Sequence, residues 1–202
     1  MNATQPVFEP GKATQGAASP EPLLWQIDPA HSSAHFSVRH MMVSNVRGEI
    51  SKISGAVKLY PGDPGKSSVD AVLDASSVQT REPARDAHLR SADFLDAEKF
   101  PTIAFTSTRV EGSMTEGFRA TGNLTIHGVT REVALEVESL SSEIKDPYGN
   151  IRMGTSATTK IDRRDFGLTW NAALETGGLL VGTEIKITLE IELIKTAPAA
   201  SN

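Results

Sequence analysis

The chain has 202 residues, a net charge of −5, a pI near 5.6 and no cysteine. The missing thiols exclude disulfides, thiolate zinc centres and cysteine nucleophiles. Acidic and basic residues are interspersed, so no basic stripe offers itself to a nucleic-acid backbone, and no apolar run approaches the ~20 residues of a membrane-spanning helix.

Residues 1–22, MNATQPVFEPGKATQGAASPEP, hold few large apolar side chains and read as a flexible leader, because they cannot bury enough surface to offset the entropy of ordering. No basic stretch followed by an apolar one marks them as a secretory signal. The expectation is a cytoplasmic protein, or a periplasmic one if a signal was removed. Residues 196–202 read as a flexible tail. The part between, 23–195, suits one barrel-sized domain that buries about 70% of its unfolded surface.

Through that domain the apolar period is mostly two. Ala34, Phe36, Val38 and His40 alternate with His35, Ser37 and Arg39; His31 falls in phase with His35 on the polar face. Val69, Ala71 and Leu73 form a short set. From Arg81 to about Ala92 the pattern breaks: good helix formers and no β-branched residue predict one short helix, with Thr80 as its cap and Pro83 in its first turn. Ile103, Phe105 and Ser107 resume the alternation, followed by Phe118, Ala120, Gly122, Leu124 and Ile126, and then Val133, Leu135 and Val137. The clearest strand is last: Ile185, Ile187, Leu189, Ile191 and Leu193 alternate with charged residues and threonine. Turn residues separate the runs, among them Pro61-Gly62, His127-Gly128, Asp146-Pro147 and Gly177-Gly178. Recurrent strands with one apolar face predict an all-β protein, and closure into an antiparallel barrel leaves no exposed edge.

Few residues carry chemistry. His40, a polar ring on an apolar strand face, is either bonded to backbone at the strand end or a polar anchor at a cavity mouth. Arg163 shares a face with Ala157, Thr159 and Ile161. Its guanidinium needs an acceptor, either an internal carboxylate such as Asp86 or the head group of a ligand. Asp86, His88 and Ser91 do not converge as a nucleophilic site, since residues two apart on a helix point to different sides. Phosphate-binding glycine loops and nucleophile-elbow motifs do not occur. No catalytic and no metal-ligating residue is assigned.

Four blocks in order carry a resemblance. They are Trp25-Gln-Ile-Asp-Pro-Ala-His31 through His40 with Val46-Arg-Gly48; Ser77-Val-Gln-Thr80, Arg85-Asp86-Ala-His88 through Asp96 and Phe100-Pro101 through Thr108; Gly122-Asn-Leu124 through Thr130; and Ile161-Asp-Arg163 through Leu168. Together they resemble the YceI-like family over nearly all of the foldable chain. The resemblance implies an eight-stranded, lipocalin-like antiparallel barrel with one short helix. It implies an apolar tunnel holding a polyisoprenoid or isoprenoid-quinone-like chain, no cofactor beyond that lipid, no catalytic residues and a homodimer. Phe36, Phe105, Leu124, Ile126, Phe166 and Ile187 are then the expected tunnel lining. Trp25, Val38, His40, His88, Arg163 and Leu168 complete the expected ligand-binding set. Many relatives place Phe where this chain has Ile50 and Ile53, a departure that would widen or reshape the tunnel. The competing readings are a barrel enzyme acting on an apolar substrate, and a structural or stress-related barrel filled by its own side chains.

Overall fold

The alternation from Ile185 to Leu193 becomes the last and longest strand, and the whole architecture hangs on it. In the structure, a computed structural model, residues 21–174 and 178–196 are described. The expected leader and tail lie outside these apart from residues 21, 22 and 196, and so does Gly177 of one expected turn.

Twelve strands follow in chain order: β1 (Leu23–Ile27), β2 (Ser33–His40), β3 (Ser44–Ile50), β4 (Ile53–Leu59), β5 (Ser68–Asp74), β6 (Val78–Gln79), β7 (Thr102–Ser113), β8 (Gly117–Ile126), β9 (Val129–Val137), β10 (Ile144–Lys145), β11 (Ile151–Asp162) and β12 (Val181–Lys195). The helix α1 (Pro83–Arg90) lies between β6 and β7. Six of the strands are halves of longer ones. β1 and β2 both run antiparallel to β12, in the registers Ile27↔Leu193 and Ser33↔Glu190, so they are one strand interrupted at residues 28–32. β3 and β4 pair in turn with β2 and β1, and β6 and β5 with β3 and β4. Merging the halves and setting aside the two-residue β10 leaves an eight-stranded antiparallel ring. It closes where β11 pairs with β12 along its length and with β9 through only Ala157↔Val137 and Thr158↔Glu136.

Strands adjacent in the chain are neighbours in the ring, as in an up-and-down barrel, some joined by tight turns and others by longer connections such as the one that holds α1. His127 (φ 51°) and Gly128 (φ 74°) form a two-residue hairpin turn between β8 and β9, and the left-handed conformation at the second position favours glycine. The β2–β3 hairpin, α1 and residues 163–174 and 178–180 share one end, the upper end below. The β7–β8 hairpin and the free ends of β1 and β12 mark the lower.

One local expectation changes. The helix is shorter than Arg81–Ala92 and is capped by Glu82, whose carboxylate accepts the Ala84 N–H at 3.4 Å. Arg81 is left-handed (φ 65°), which ends any helix there, and Thr80 is occupied elsewhere. On β8 the Phe105 ring lies over Gly122, and a Cβ there would come within 2.7 Å of that ring.

The core is lopsided. Ile53, Val57, Leu59, Leu73, Ile103, Phe105, Leu124 and Ile126, on β4, β5, β7 and β8, are fully buried. Phe36, Val38, Ile50, Leu135, Ile161 and Ile185, Ile187 and Ile191 of β12 also face inward but are only half-buried. Both sets line one open space inside the barrel, the first more tightly packed than the second.

Candidate functional site

That space is a cavity of about 400 Å³, running from His40, Trp170 and Val181 near the upper end to Met114 and Leu140 near the lower. Its size lies within the roughly 300–1,000 Å³ usual for small-molecule sites. Its wall follows from period two: each strand turns its apolar residues inward and its charges to water.

Ten of the twelve expected ligand-binding residues stand in this wall. Phe36, Val38 and His40 come from β2, Phe105 from β7, Leu124 and Ile126 from β8, and Ile187 from β12; His88, Arg163 and Leu168 come from the upper end. Trp25 and Phe166 do not. Each is only 1% exposed and belongs to the packed core. The Trp25 indole Nε1 is buried without a hydrogen-bond partner among the described residues. Of the two departures from the family pattern, Ile50 is half-exposed at the cavity wall and Ile53 is packed within it.

The upper end carries the polar groups. The His88 ring stands edge-on to Phe94 (5.0 Å between centroids) and to Trp170 (4.6 Å), with Nε2 2.9 Å from Asp93 Oδ2. Trp170 is the functional candidate that sequence reasoning missed. It follows the last conserved-looking block in irregular chain, where no period assigns a face. His40 is half-buried at the wall and makes no side-chain hydrogen bond among the described residues.

Arg163 is corrected. It is 3% exposed and, among the described residues, meets neither Asp86 nor any other carboxylate. Its Nε donates to Gly182 O (2.9 Å), Nη1 to the carbonyls of Leu168 and Trp170, and Nη2 to Val181 O (3.4 Å). The guanidinium is a clamp between the Arg163–Leu168 turn and the start of β12. Burial pushes its pKa below the ordinary value, and the carbonyl dipoles offset that cost. Asp86 instead accepts the N–H (2.7 Å) and hydroxyl (2.5 Å) of Thr80, which also takes the Arg85 Nε at 2.7 Å.

The strongest charge network lies outside the cavity, toward the lower end. Arg152 Nη1 reaches Asp28 Oδ2 (2.5 Å) and Glu192 Oε1 (2.6 Å), and its Nε reaches Asp146 Oδ2 (2.7 Å). Asp28, His31 and Glu192 bring ligand atoms close enough for a metal ion. The Arg152 cation already neutralises two of them, so the group reads as an ion-pair cluster. The His31 hydrogen bond first, then Arg152 and the Ala30 N–H, hold the Asp28 carboxyl at about 2, against its ordinary 3.8. Arg164 holds Asp162 at about 2, and Arg152 keeps Asp146 well below the carboxylate range. A carboxylate depressed by folding stabilises above its unfolded value and loses that contribution as pH falls through its folded one. Thermal stability should therefore decline between about pH 4 and pH 2, and Arg152→Met should flatten the decline. An unfolding temperature that is level over that window would contradict the ion-pair account.

A closed antiparallel barrel of eight strands around an apolar cavity is a binding architecture, in which an interior just wide enough for side chains can instead hold one small ligand. The family model described as YceI-like domain matches residues 25–193, and the chain belongs to that family. A UPF0312 protein of Staphylococcus aureus (strain MSSA476) is 36% identical over 166 residues, which cover 82% of this chain and 94% of that one. A YceI protein of Campylobacter jejuni of known crystal structure is 29% identical, with a TM-score of 0.65 over 79% of this chain and 90% of its own. A protein of Saccharophagus degradans, described as a polyisoprenoid binding domain implicated in plant cell wall breakdown, shares the fold at 17% identity. Its TM-score is 0.60 over 86% of this chain and 99% of its own.

Proposed function

We propose that the protein holds a single polyisoprenoid or isoprenoid-quinone-like lipid in the barrel, as a binder and not as a catalyst. The observation that carries this reading is the open interior: inward apolar side chains from all eight strands of the ring line a cavity of about 400 Å³ instead of closing on one another. A barrel filled by its own side chains would leave no such space. Two further facts support the reading: membership of the YceI-like family and the shared fold of a protein described as polyisoprenoid-binding.

The energetics suit a branched apolar chain. Each five-carbon unit that leaves water contributes up to about 4 kcal/mol, at ~0.8 kcal/mol per CH₂, before the costs of ordering and imperfect fit. Affinity then comes from the tail, and orientation from the few polar groups at the upper end, His40 and His88. Arg163 takes no part in orientation, because its donors are spent on backbone carbonyls. The strongly shifted carboxylates, Asp28, Asp146 and Asp162, are accounted for by ion pairs outside the cavity, which removes the usual argument for reading a perturbed acid as an active-site group.

Mass spectrometry of an organic-solvent extract of freshly purified protein tests the proposal. One isoprenoid-type lipid per chain is the expected result. An extract without lipid, together with no rise in unfolding temperature on adding prenyl alcohols or quinones, would overturn it.

A further inference from the structure

The upper end carries a feature that tunnel binding does not use. The β2–β3 hairpin tip is Met41-Met42-Val43, exposed by 42, 69 and 76%. Both methionines are left-handed, with φ of 51° and 58°. Glycine or asparagine adopts that conformation readily, and a methionine adopts it only at a cost. The chain thus accepts backbone strain and also presents three apolar side chains to water. Met41 N–H donates to Leu180 O at 2.8 Å, which ties the tip to the segment bearing Leu179, itself 50% exposed. The same segment lines the cavity through Leu180 and Val181, so the apolar tip adjoins the upper end of the tunnel.

The outer wall just below the tip is cationic. Lys160, Lys186 and Arg47 occupy one outward rung, through the pairs Lys160↔Lys186, Lys186↔Ser37 and Ser37↔Arg47; Arg39 stands one step higher, opposite Asn45. All four side chains are exposed. Lys160 has a loose ion pair to Glu184 at 3.9 Å, and the other three have none among the described residues. The nearby acids are engaged elsewhere, Asp162 by Arg164 and Glu49 by His35 and Gln79. Elsewhere on the wall several outward cations are matched, as in Lys52–Asp74, Arg109–Glu111 and Arg119–Glu136, while Lys58 and Arg131, unmatched among the described residues, stand singly on β4 and β9. A chain of net charge −5 is repelled as a whole by an anionic surface, so an unmatched cationic face beside an apolar tip selects the orientation of approach.

We propose that this end of the barrel docks on a bilayer containing anionic phospholipid. The Met41–Val43 tip enters the headgroup boundary, and Arg39, Arg47 and Lys186 face the phosphates. An apolar tip with a cationic collar is the pattern of reversible interfacial binding. The inference rests on the tunnel reading, because docking places the upper end of the tunnel against the phase from which a lipid chain would enter.

The test is flotation of the full chain with vesicles of phosphatidylglycerol and phosphatidylcholine in equal parts, and with phosphatidylcholine alone. Binding should be at least about tenfold tighter to the anionic vesicles and should weaken as salt rises. Met42→Asn with Val43→Ser should abolish it while holding or raising the unfolding temperature, since asparagine relieves the left-handed strain. Arg39→Gln with Arg47→Gln should weaken it by a similar factor through charge alone. Wild-type protein that stays with the aqueous phase, or a tip variant that floats like wild type, would overturn the docking. So would lipid-free protein that sedimented as a dimer and became monomeric in the tip variant, because the tip would then be an interface between copies. The tunnel reading fails separately, by an extract without lipid from protein that still floats.

Discussion

Arg163→Ala is expected to destabilise the protein by about 3 kcal/mol or more, because it orphans several buried groups at once. The arginine satisfies carbonyls of Leu168, Trp170, Val181 and Gly182, and with them it fixes the upper segment to β12. For a chain of this size that corresponds to a fall of roughly 6–12 °C in unfolding temperature. Two companions separate this clamp from an ion pair or a ligand contact. Arg163→Met keeps the packing and loses the donors, so it should be nearly as damaging as alanine. Arg163→Lys keeps the charge, but one ammonium cannot reach carbonyls spread around a planar fork, so it should restore less than half of the loss. Thermal and urea unfolding measure all three. A loss below about 1 kcal/mol for Arg163→Ala would show that the carbonyls find water or one another, since an unmet buried acceptor costs at least that much. The same variants should shift Trp170 fluorescence, because the Trp170 carbonyl is one of the clamped groups.

Thr159→Trp is expected to empty the tunnel without unfolding the barrel. Thr159 lies on β11 opposite Ile187 of β12, half-exposed and in the cavity wall. An indole at this point fills the space where a lipid chain would pass, and it does so with apolar surface that favours the interior. Co-purifying lipid should fall at least about tenfold, which is about 1.4 kcal/mol of lost affinity, while the unfolding temperature holds or rises. Thr159→Val, nearly the same size, should leave the lipid in place. Unchanged lipid content in the tryptophan variant would put the ligand elsewhere and undo the tunnel assignment. Neither outcome depends on Arg163, so the two experiments divide the upper clamp from the tunnel wall.

Much of this architecture was legible in the chain. A strand with one wet and one dry face has a period of two, and such strands read directly from Ile185–Leu193, Phe118–Ile126 and Val133–Val137. The break in period from Arg81 to about Ala92 announced the helix, observed as Pro83–Arg90, and paired turn residues such as His127-Gly128 announced the hairpins. These are local properties, set by side-chain alternation and by which residues tolerate left-handed backbone. The family blocks put His88, Arg163 and Leu168 in the expected ligand-binding set, without saying that they share one end of the barrel.

Periodicity names the face a side chain occupies, but not the distance to the opposite wall. For that reason Phe36 and Phe105 looked alike in the sequence, and both line the cavity, but the structure leaves Phe36 half-buried and folds Phe105, fully buried, over Gly122. Trp25, expected in the ligand-binding set, and Phe166, expected in the lining, lie in the packed core for the same reason. The acceptors of Arg163 are backbone carbonyls, which every residue carries and no sequence pattern marks. The Arg152 cluster joins Asp28 to a partner 124 positions away, across strands whose adjacency depends on closure. The sequence by itself determined strands, turns, the helix and the polarity of each face, because those follow from local covalent geometry. Only the tertiary structure decided which apolar faces meet, which leave a cavity, and which charges are satisfied, because each depends on atoms brought together by ring closure.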